Sequence, residues 1–99
     1  MKGKTCIVTG ATSGIGRSTA IALARTGAEL GLVCRDAGRA EETVRAIHDQ
    51  TGSTAVEVFL GDLASQDAIR RVAAAILERY PRIHLLVNNA GVVNLQRQT

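Results

Sequence analysis

Four short apolar runs punctuate the chain: "TCIVT" at 5–9, "ELGLVC" at 29–34, "AVEVFL" at 55–60 and "IHLLVN" at 83–88. They are rich in Val, Ile and Leu and mostly unbroken rather than alternating, the pattern of parallel strands covered on both faces. Three segments with helical spacing separate them. The first, from Ile15 to Thr26, is rich in Ala and Ser and ends at Gly27, which turns left-handed without a Cβ clash. The second opens at Asp36 as N-cap, carries Ala40, Val44 and Ile47 on one stripe, and stops at Gly52. In the third, Ile69, Val72, Ala73, Ile76, Leu77 and Tyr80 recur at helical spacing, with Ser65 to cap the start and Pro81 to mark the stop.

Strands alternating with helices in this way imply an α/β fold, a parallel sheet joined by right-handed crossovers. If the first two crossovers wind outward and the third returns across the sheet, the strand order is 3-2-1-4. That return opens a crevice at the carboxyl ends of strands 1 and 4, where open α/β sheets bind their ligands. Two helices then cover one face and a single helix the other, so part of strands 1 and 4 is expected to lie uncovered, and the edge "LLVNNA" to invite pairing or self-association.

Composition narrows the function classes. The 99 residues, 45% hydrophobic and 21% charged with one proline and no repeat or low-complexity tract, suit one folded domain. The net charge of +3 comes from arginines scattered along the chain. Arg45 and Arg71, each four residues after an acid (Glu41, Asp67), read as solvated helix faces with i,i+4 partners. With Tyr80 and Phe59 as the only aromatics there is no stacking platform, and nucleic acid is not an expected partner. A strand pattern follows Met1 within a few residues and no apolar run approaches a membrane span, so a cytoplasmic protein without a signal peptide or transmembrane segment is expected. Cys6 and Cys34 should sit about three residues apart along neighbouring strands, ~10 Å and beyond disulfide reach, as small buried hydrophobes. There is no zinc-ligand spacing.

The stretch "TGATSGIG", Thr9 to Gly16, puts three glycines directly behind the first strand. Gly10 lies where the strand must turn, Gly14 where the loop must approach something closely, and Gly16 where the helix must pack hard against the sheet. The helix N-terminus then favours an anion by roughly 0.3 to 2 kcal/mol, with a phosphate as natural occupant. The spacing lacks the G-K-[ST] ending of a P-loop, which disfavours ATP hydrolysis. A tight strand-to-helix turn with no ligand would use the same residues. "NNAG", Asn88 to Gly91, ends strand 4 beside that loop in the 3-2-1-4 order, close enough for Thr9 to reach it, although Asn and Gly also make plain turns. Asp62 and Leu63, just past strand 3, either contact an adenine or help start the next helix.

With these motifs in place, the chain resembles the short-chain dehydrogenase/reductase family over its whole length, with some likeness to the retinol-dehydrogenase branch in "CRD" and "NNAGVV". The resemblance implies a partial, doubly wound Rossmann-type sheet, residues 1–99 forming the dinucleotide-binding half of an oxidoreductase that moves hydride between NADP(H) and a small-molecule alcohol or carbonyl. It implies that Gly10, Ser13, Gly14, Ile15 and Gly16 line the dinucleotide phosphates, Asp62 and Leu63 the adenine, and Asn88, Asn89, Ala90 and Gly91 the ribose and nicotinamide crevice. Family members that use NAD commonly end strand 2 with an acid that holds the ribose hydroxyls. Cys34 holds that place here and Arg35 follows, favouring the 2′-phosphate of NADP over NAD. Asp36 is better placed as a helix cap than as the ribose acid.

The family's catalytic Asn, Ser and Tyr-x-x-x-Lys are expected downstream of "NNAG", and the chain ends at Thr99. Tyr80 is followed by Pro81 and has His84, not a lysine, four residues on; His48 and His84 fall away from the crevice. No catalytic residue is assigned. The expectation is a truncated chain that binds cofactor, is inactive alone and prone to self-association, its full-length counterpart a homo-oligomer; a non-catalytic dinucleotide-binding or interaction module is the alternative.

Overall fold

The computed structural model describes residues 2–11 and 14–88. Its elements run β1 (Thr5–Thr9), α1 (Gly14–Arg25), β2 (Glu29–Cys34), α2 (Ala37–Thr51), β3 (Val56–Leu60), α3 (Gln66–Arg79) and β4 (Leu85–Asn88). All the strand pairs are parallel and the order is β3-β2-β1-β4. The expected α/β fold and 3-2-1-4 order are what the chain adopts.

Local chemistry sets the boundaries. Asp36 accepts the Arg39 N–H at 3.1 Å and caps α2, while Gly52, at φ 75°, closes its other end. Ser65 accepts the Ala68 N–H at 3.2 Å and caps α3. The helix then stops before Pro81, which cannot continue it. β4 starts at Leu85, two residues later than the apolar run suggests, because the Thr5 N–H that would extend the ladder is taken by the His84 imidazole, whose Nδ1 accepts it at 2.9 Å.

The sheet is packed on both faces. One holds Cys6, Val8, Leu30, Leu32 and Cys34 against Ala20, Ala24, Ala40 and Ile47 of α1 and α2; the other holds Ile7 and Val33 against Val72 and Ile76 of α3 and its C-cap Tyr80. Small residues on α1 bring it close to the strands. On the α3 side, Gly31 makes room for the aromatic pair: a Cβ there would stand 2.7 Å from Ile7 and 3.2 Å from Phe59. Phe59 and Tyr80 meet edge to face, with ring centroids 6.2 Å apart.

Coverage differs from the expectation in a regular way. β1 and β2 are buried almost throughout, β3 is partly buried, and in β4 Leu85, Leu86 and Asn88 are exposed. The uncovered strand is therefore β4 and not β1, because β1 lies between two neighbours while β4 lies at the edge. On α3, Ala68, Val72 and Ile76 are buried at four-residue steps, continued by the C-cap Tyr80, whereas Ala73 is exposed and Leu77 is 60% exposed. The stripe is narrower than its sequence because a single helix on this face has no helical neighbour among the described residues to bury its flank.

The two cysteines are free and buried. Cys6 aligns with Leu30, so Cys34 lies four residues further along rather than three, ~13 Å at strand rise. The expected helix-face pairs Glu41–Arg45 and Asp67–Arg71 do not form; among the described residues Arg79 pairs with Glu57 at 3.4 Å, and the His48 imidazole lies 4.0 Å from the Asp49 carboxylate. An exposed i,i+4 pair gains only ~0.3–0.5 kcal/mol, too little to hold two long side chains in one geometry.

Candidate functional site

The carboxyl ends of all four strands are tied together laterally. The Gly10 N–H, just past β1, donates to the Val33 carbonyl at 3.3 Å, and the Gly61 N–H, just past β3, donates to the Cys34 carbonyl at 3.0 Å. On the other side the Thr9 hydroxyl donates to Asn88 Oδ1 at 2.9 Å, joining β1 to β4 across 79 positions of sequence. The glycine loop and the first residue of "NNAG" thus share one edge, as the strand order requires.

The loop's geometry follows from its missing side chains. Gly10 (φ 65°) and Gly14 (φ 47°) adopt left-handed backbone that β-carbons oppose. A Cβ on Gly16 would collide with the Gly10 carbonyl oxygen, so this glycine lets the start of α1 sit on the turn that leaves β1; the close packing is against that turn more than against the sheet. Around Gly14, among the described residues beyond its chain neighbours and its own helix backbone, no atom comes within 4 Å of where a Cβ would stand, which leaves its backbone open to an approaching group. Ile15, next to it, is 75% exposed despite its apolar side chain. An open backbone at a helix N-terminus, flanked by glycines, fits the phosphates of a dinucleotide, and no described group blocks it.

At the end of β2 the thiol of Cys34 is buried and burial pushes its pKa up, so an uncharged group occupies the place where a ribose-binding acid would stand. Arg35 follows it and is exposed; the Asp36 carboxylate is engaged in capping α2. Asp62 is exposed and its carboxylate accepts the Ala64 N–H at 2.9 Å, while its carbonyl accepts the Ser65 N–H at 3.0 Å. It shapes the turn before α3, but Ser65 is the cap. Leu63 is partly buried against the α3-side core. Ser13, Asn89, Ala90 and Gly91 lie outside the described residues.

Tyr80 is no candidate for acid–base chemistry. It is 2% exposed, its hydroxyl donates to the Leu30 carbonyl at 3.2 Å, and burial raises its pKa. His84 is spent on the Thr5 N–H, a role the sequence did not reveal because it depends on the imidazole substituting for a backbone acceptor. Gly31 was likewise missed; its signal is a lone glycine inside an apolar strand run, the mark of a close approach. Among the described residues no cluster of His, Cys, Asp and Glu could hold a metal ion, and no helix is long and apolar enough to cross a membrane.

Such a sheet, with a glycine turn on one strand end and an amide on its returning neighbour, has the arrangement of a Rossmann-type α/β fold. The sequence profile of the short chain dehydrogenase family matches residues 4–99, and the chain belongs to that family. It is 44% identical over 97 residues to human retinol dehydrogenase 13, a match covering 98% of this chain and 29% of that protein. To mouse retinol dehydrogenase 11 it is 45% identical over 93 residues, covering 94% of this chain and again 29% of the relative. Among solved structures, L-sorbose reductase from Gluconobacter frateurii, complexed with NADPH and L-sorbose, superposes with a TM-score of 0.83 at 32% identity, covering 93% of this chain and 35% of that one. The chain therefore spans under a third of the length of these curated relatives.

Proposed function

We propose that this chain is the NADP-binding part of a short-chain oxidoreductase that transfers hydride between NADP(H) and an alcohol or carbonyl substrate. The observation that carries the reading is the meeting of the open glycine turn with Asn88 at the β1–β4 crevice, joined through Thr9 at 2.9 Å. In this reading Gly10, Ser13, Gly14, Ile15 and Gly16 receive the phosphates, Asp62 and Leu63 the adenine, and Asn88, Asn89, Ala90 and Gly91 the ribose and nicotinamide. A bound nicotinamide supplies or accepts the hydride; the residues of this chain hold the carrier and orient it. The NADPH bound to L-sorbose reductase is consistent with this choice of carrier.

The preference for NADP rests on what surrounds the end of β2. Cys34 is buried and uncharged, and Asp36 spends its carboxylate on the Arg39 N–H, so neither is placed to hold both ribose hydroxyls. The exposed Arg35 guanidinium has no ion-pair partner among the described residues and can pair with a 2′-phosphate through charge-assisted hydrogen bonds.

The 99-residue polypeptide by itself is proposed to bind cofactor without turnover, because its one tyrosine is sealed in the core and no other described group is placed as proton donor. Titrating NADPH and NADH into the wild type and Arg35→Asp, followed by addition of a simple carbonyl, tests the whole reading. Tighter NADPH binding is expected in the wild type, with about tenfold or greater loss of NADPH affinity in Arg35→Asp and little change for NADH. Equal affinities in the two proteins would remove Arg35 from the site. Carbonyl reduction by this polypeptide would overturn its inactivity.

A further inference from the structure

We infer that His84 is a pH-sensitive latch that holds the entry to β4 against β1 and lets go on acidification; the inference stands apart from the choice of cofactor. Thr5 and His84 grip each other in both directions. The His84 N–H donates to the Thr5 carbonyl at 2.8 Å, and the Thr5 N–H donates to Nδ1 of the His84 imidazole at 2.9 Å. The first bond joins two backbone groups and is indifferent to pH. In the second a side chain stands in for a backbone carbonyl, and a carbonyl keeps its lone pairs at any ordinary pH whereas an imidazole does not. To accept, Nδ1 must be unprotonated, which places the proton of the neutral ring on Nε2. Protonation turns Nδ1 into a donor aimed at another donor, so attraction gives way to repulsion.

Exposure divides the roles of the two partners. Thr5 is 6% exposed, so its N–H has little water to turn to once the imidazole lets go, and a buried donor left unpaired is costly. His84 is exposed, so protons reach the ring without the fold having to open. The charged groups on the surrounding elements do not compensate an imidazolium. Lys2 and Lys4 precede β1, Arg82 lies on the same segment as His84, and the amino terminus adds a further positive charge whose field reaches Cys6. Arg79, at the end of α3, is paired with Glu57 at 3.4 Å. Glu29 is the register partner of Thr5 on β2, on the side of β1 away from β4. The remaining titratable groups are committed: Cys6 is buried in the core against α1 and α2, and the Tyr80 hydroxyl donates to the Leu30 carbonyl. Among the described residues His84 has no ion-pair partner. The opening is confined, because β4 stays paired with β1 from Leu85 to Asn88 and its far end stays tied to Thr9.

The test follows urea unfolding and Thr5 amide exchange, corrected for the intrinsic pH dependence of exchange, in the wild type, His84→Asn and His48→Asn. The interval from about pH 7.5 to about pH 5.5 spans imidazole titration and avoids the ordinary carboxylate and thiol ranges. Over it the unfolded chain takes up a proton at residue 84 that the latched fold does not, so the folded state binds fewer protons and stability falls as the pH falls. The wild type and His48→Asn are expected to lose about tenfold in the folding equilibrium constant, with a matching loss of Thr5 amide protection. Asparagine offers a carbonyl oxygen that does not titrate, so His84→Asn should hold a level midpoint across the same interval. A level midpoint in the wild type overturns the latch. So does a decline that persists in His84→Asn or vanishes in His48→Asn, since either places the titration elsewhere. Should His84→Asn not fold, nitrogen chemical shifts of the wild-type ring decide. An unprotonated Nδ1 at neutral pH that gains its proton in step with the loss of Thr5 protection supports the latch; an Nδ1 already protonated there, or Thr5 protection that does not follow, overturns it.

Discussion

Single atoms that are absent decide much of this structure. Gly31 sits in the middle of β2, where the chain would gain strand propensity from almost any other residue, yet its missing side chain is what allows Ile7, Phe59 and Tyr80 to close over the sheet. The rings cannot retreat easily, because the Tyr80 hydroxyl is anchored on the Leu30 carbonyl and Phe59 packs edge-on against it. Gly31→Ala is therefore expected to destabilise the fold by about 1–3 kcal/mol through overpacking, read as a lower urea midpoint with an unchanged slope. An unchanged midpoint would mean that the aromatic pair is free to shift. Gly16 poses the same problem at the other end of the logic: there the obstacle to a Cβ is the Gly10 backbone, and backbone cannot rotate aside as a ring can.

At the level of elements, the sequence was legible where a boundary depends on local chemistry. Asp36, Ser65, Gly27 and Gly52 stop or start helices through their own hydrogen bonds or φ values, and they do so where the sequence places them. It was less legible where a boundary depends on a partner far along the chain. The start of β4 is set by His84 meeting Thr5, and the narrow buried stripe of α3 by what lies beside that helix. The site shows the same division: the turn at Gly10 and the close packing at Gly16 could be read from "TGATSGIG", whereas the ties from Gly10 to Val33 and from Gly61 to Cys34 depend on the stagger of strand ends. The open flank also has a consequence. Leu77 and Leu86 are 60% and 64% exposed, and Leu86, which pairs with Ile7, points to the α3 side of the sheet. The 99-residue polypeptide is expected to self-associate through this apolar surface and the β4 edge. Sedimentation velocity should show mass rising with concentration, and a Leu77→Gln/Leu86→Gln double variant should stay closer to monomer at little cost in stability, about 0.5 kcal/mol or less per site. A wild type that remains monomeric at every concentration would refute this.

For the molecule as a whole, the two cores impose a common charge state on three groups. Burial raises the pKa of Cys6, Cys34 and Tyr80; at Cys6 the amino terminus partly opposes it, and at Tyr80 Arg79 opposes it while Glu57 and Glu29 add to it. All three are neutral in the fold and must stay so, since a thiolate or phenolate there would be a charge without solvent. In the unfolded chain the thiols lose their protons near pH 9 and the phenol near pH 10, while the folded protein still holds them. Over that interval the folded state binds more protons than the unfolded one, so stability falls as pH rises. The contribution is complete below pH 9 and is lost as the pH climbs through the raised values. Urea unfolding measured at successive pH values should give a steady midpoint on the neutral side of pH 9 and a falling one beyond it. Cys34→Ala removes one of the three groups, at the crevice end of β2, and is expected to make that alkaline decline shallower whatever it does to the midpoint at neutral pH. An equally steep decline in the variant would mean that Cys34 reaches solvent before the fold opens, and that the end of β2 is looser than its hydrogen bond from Gly61 implies.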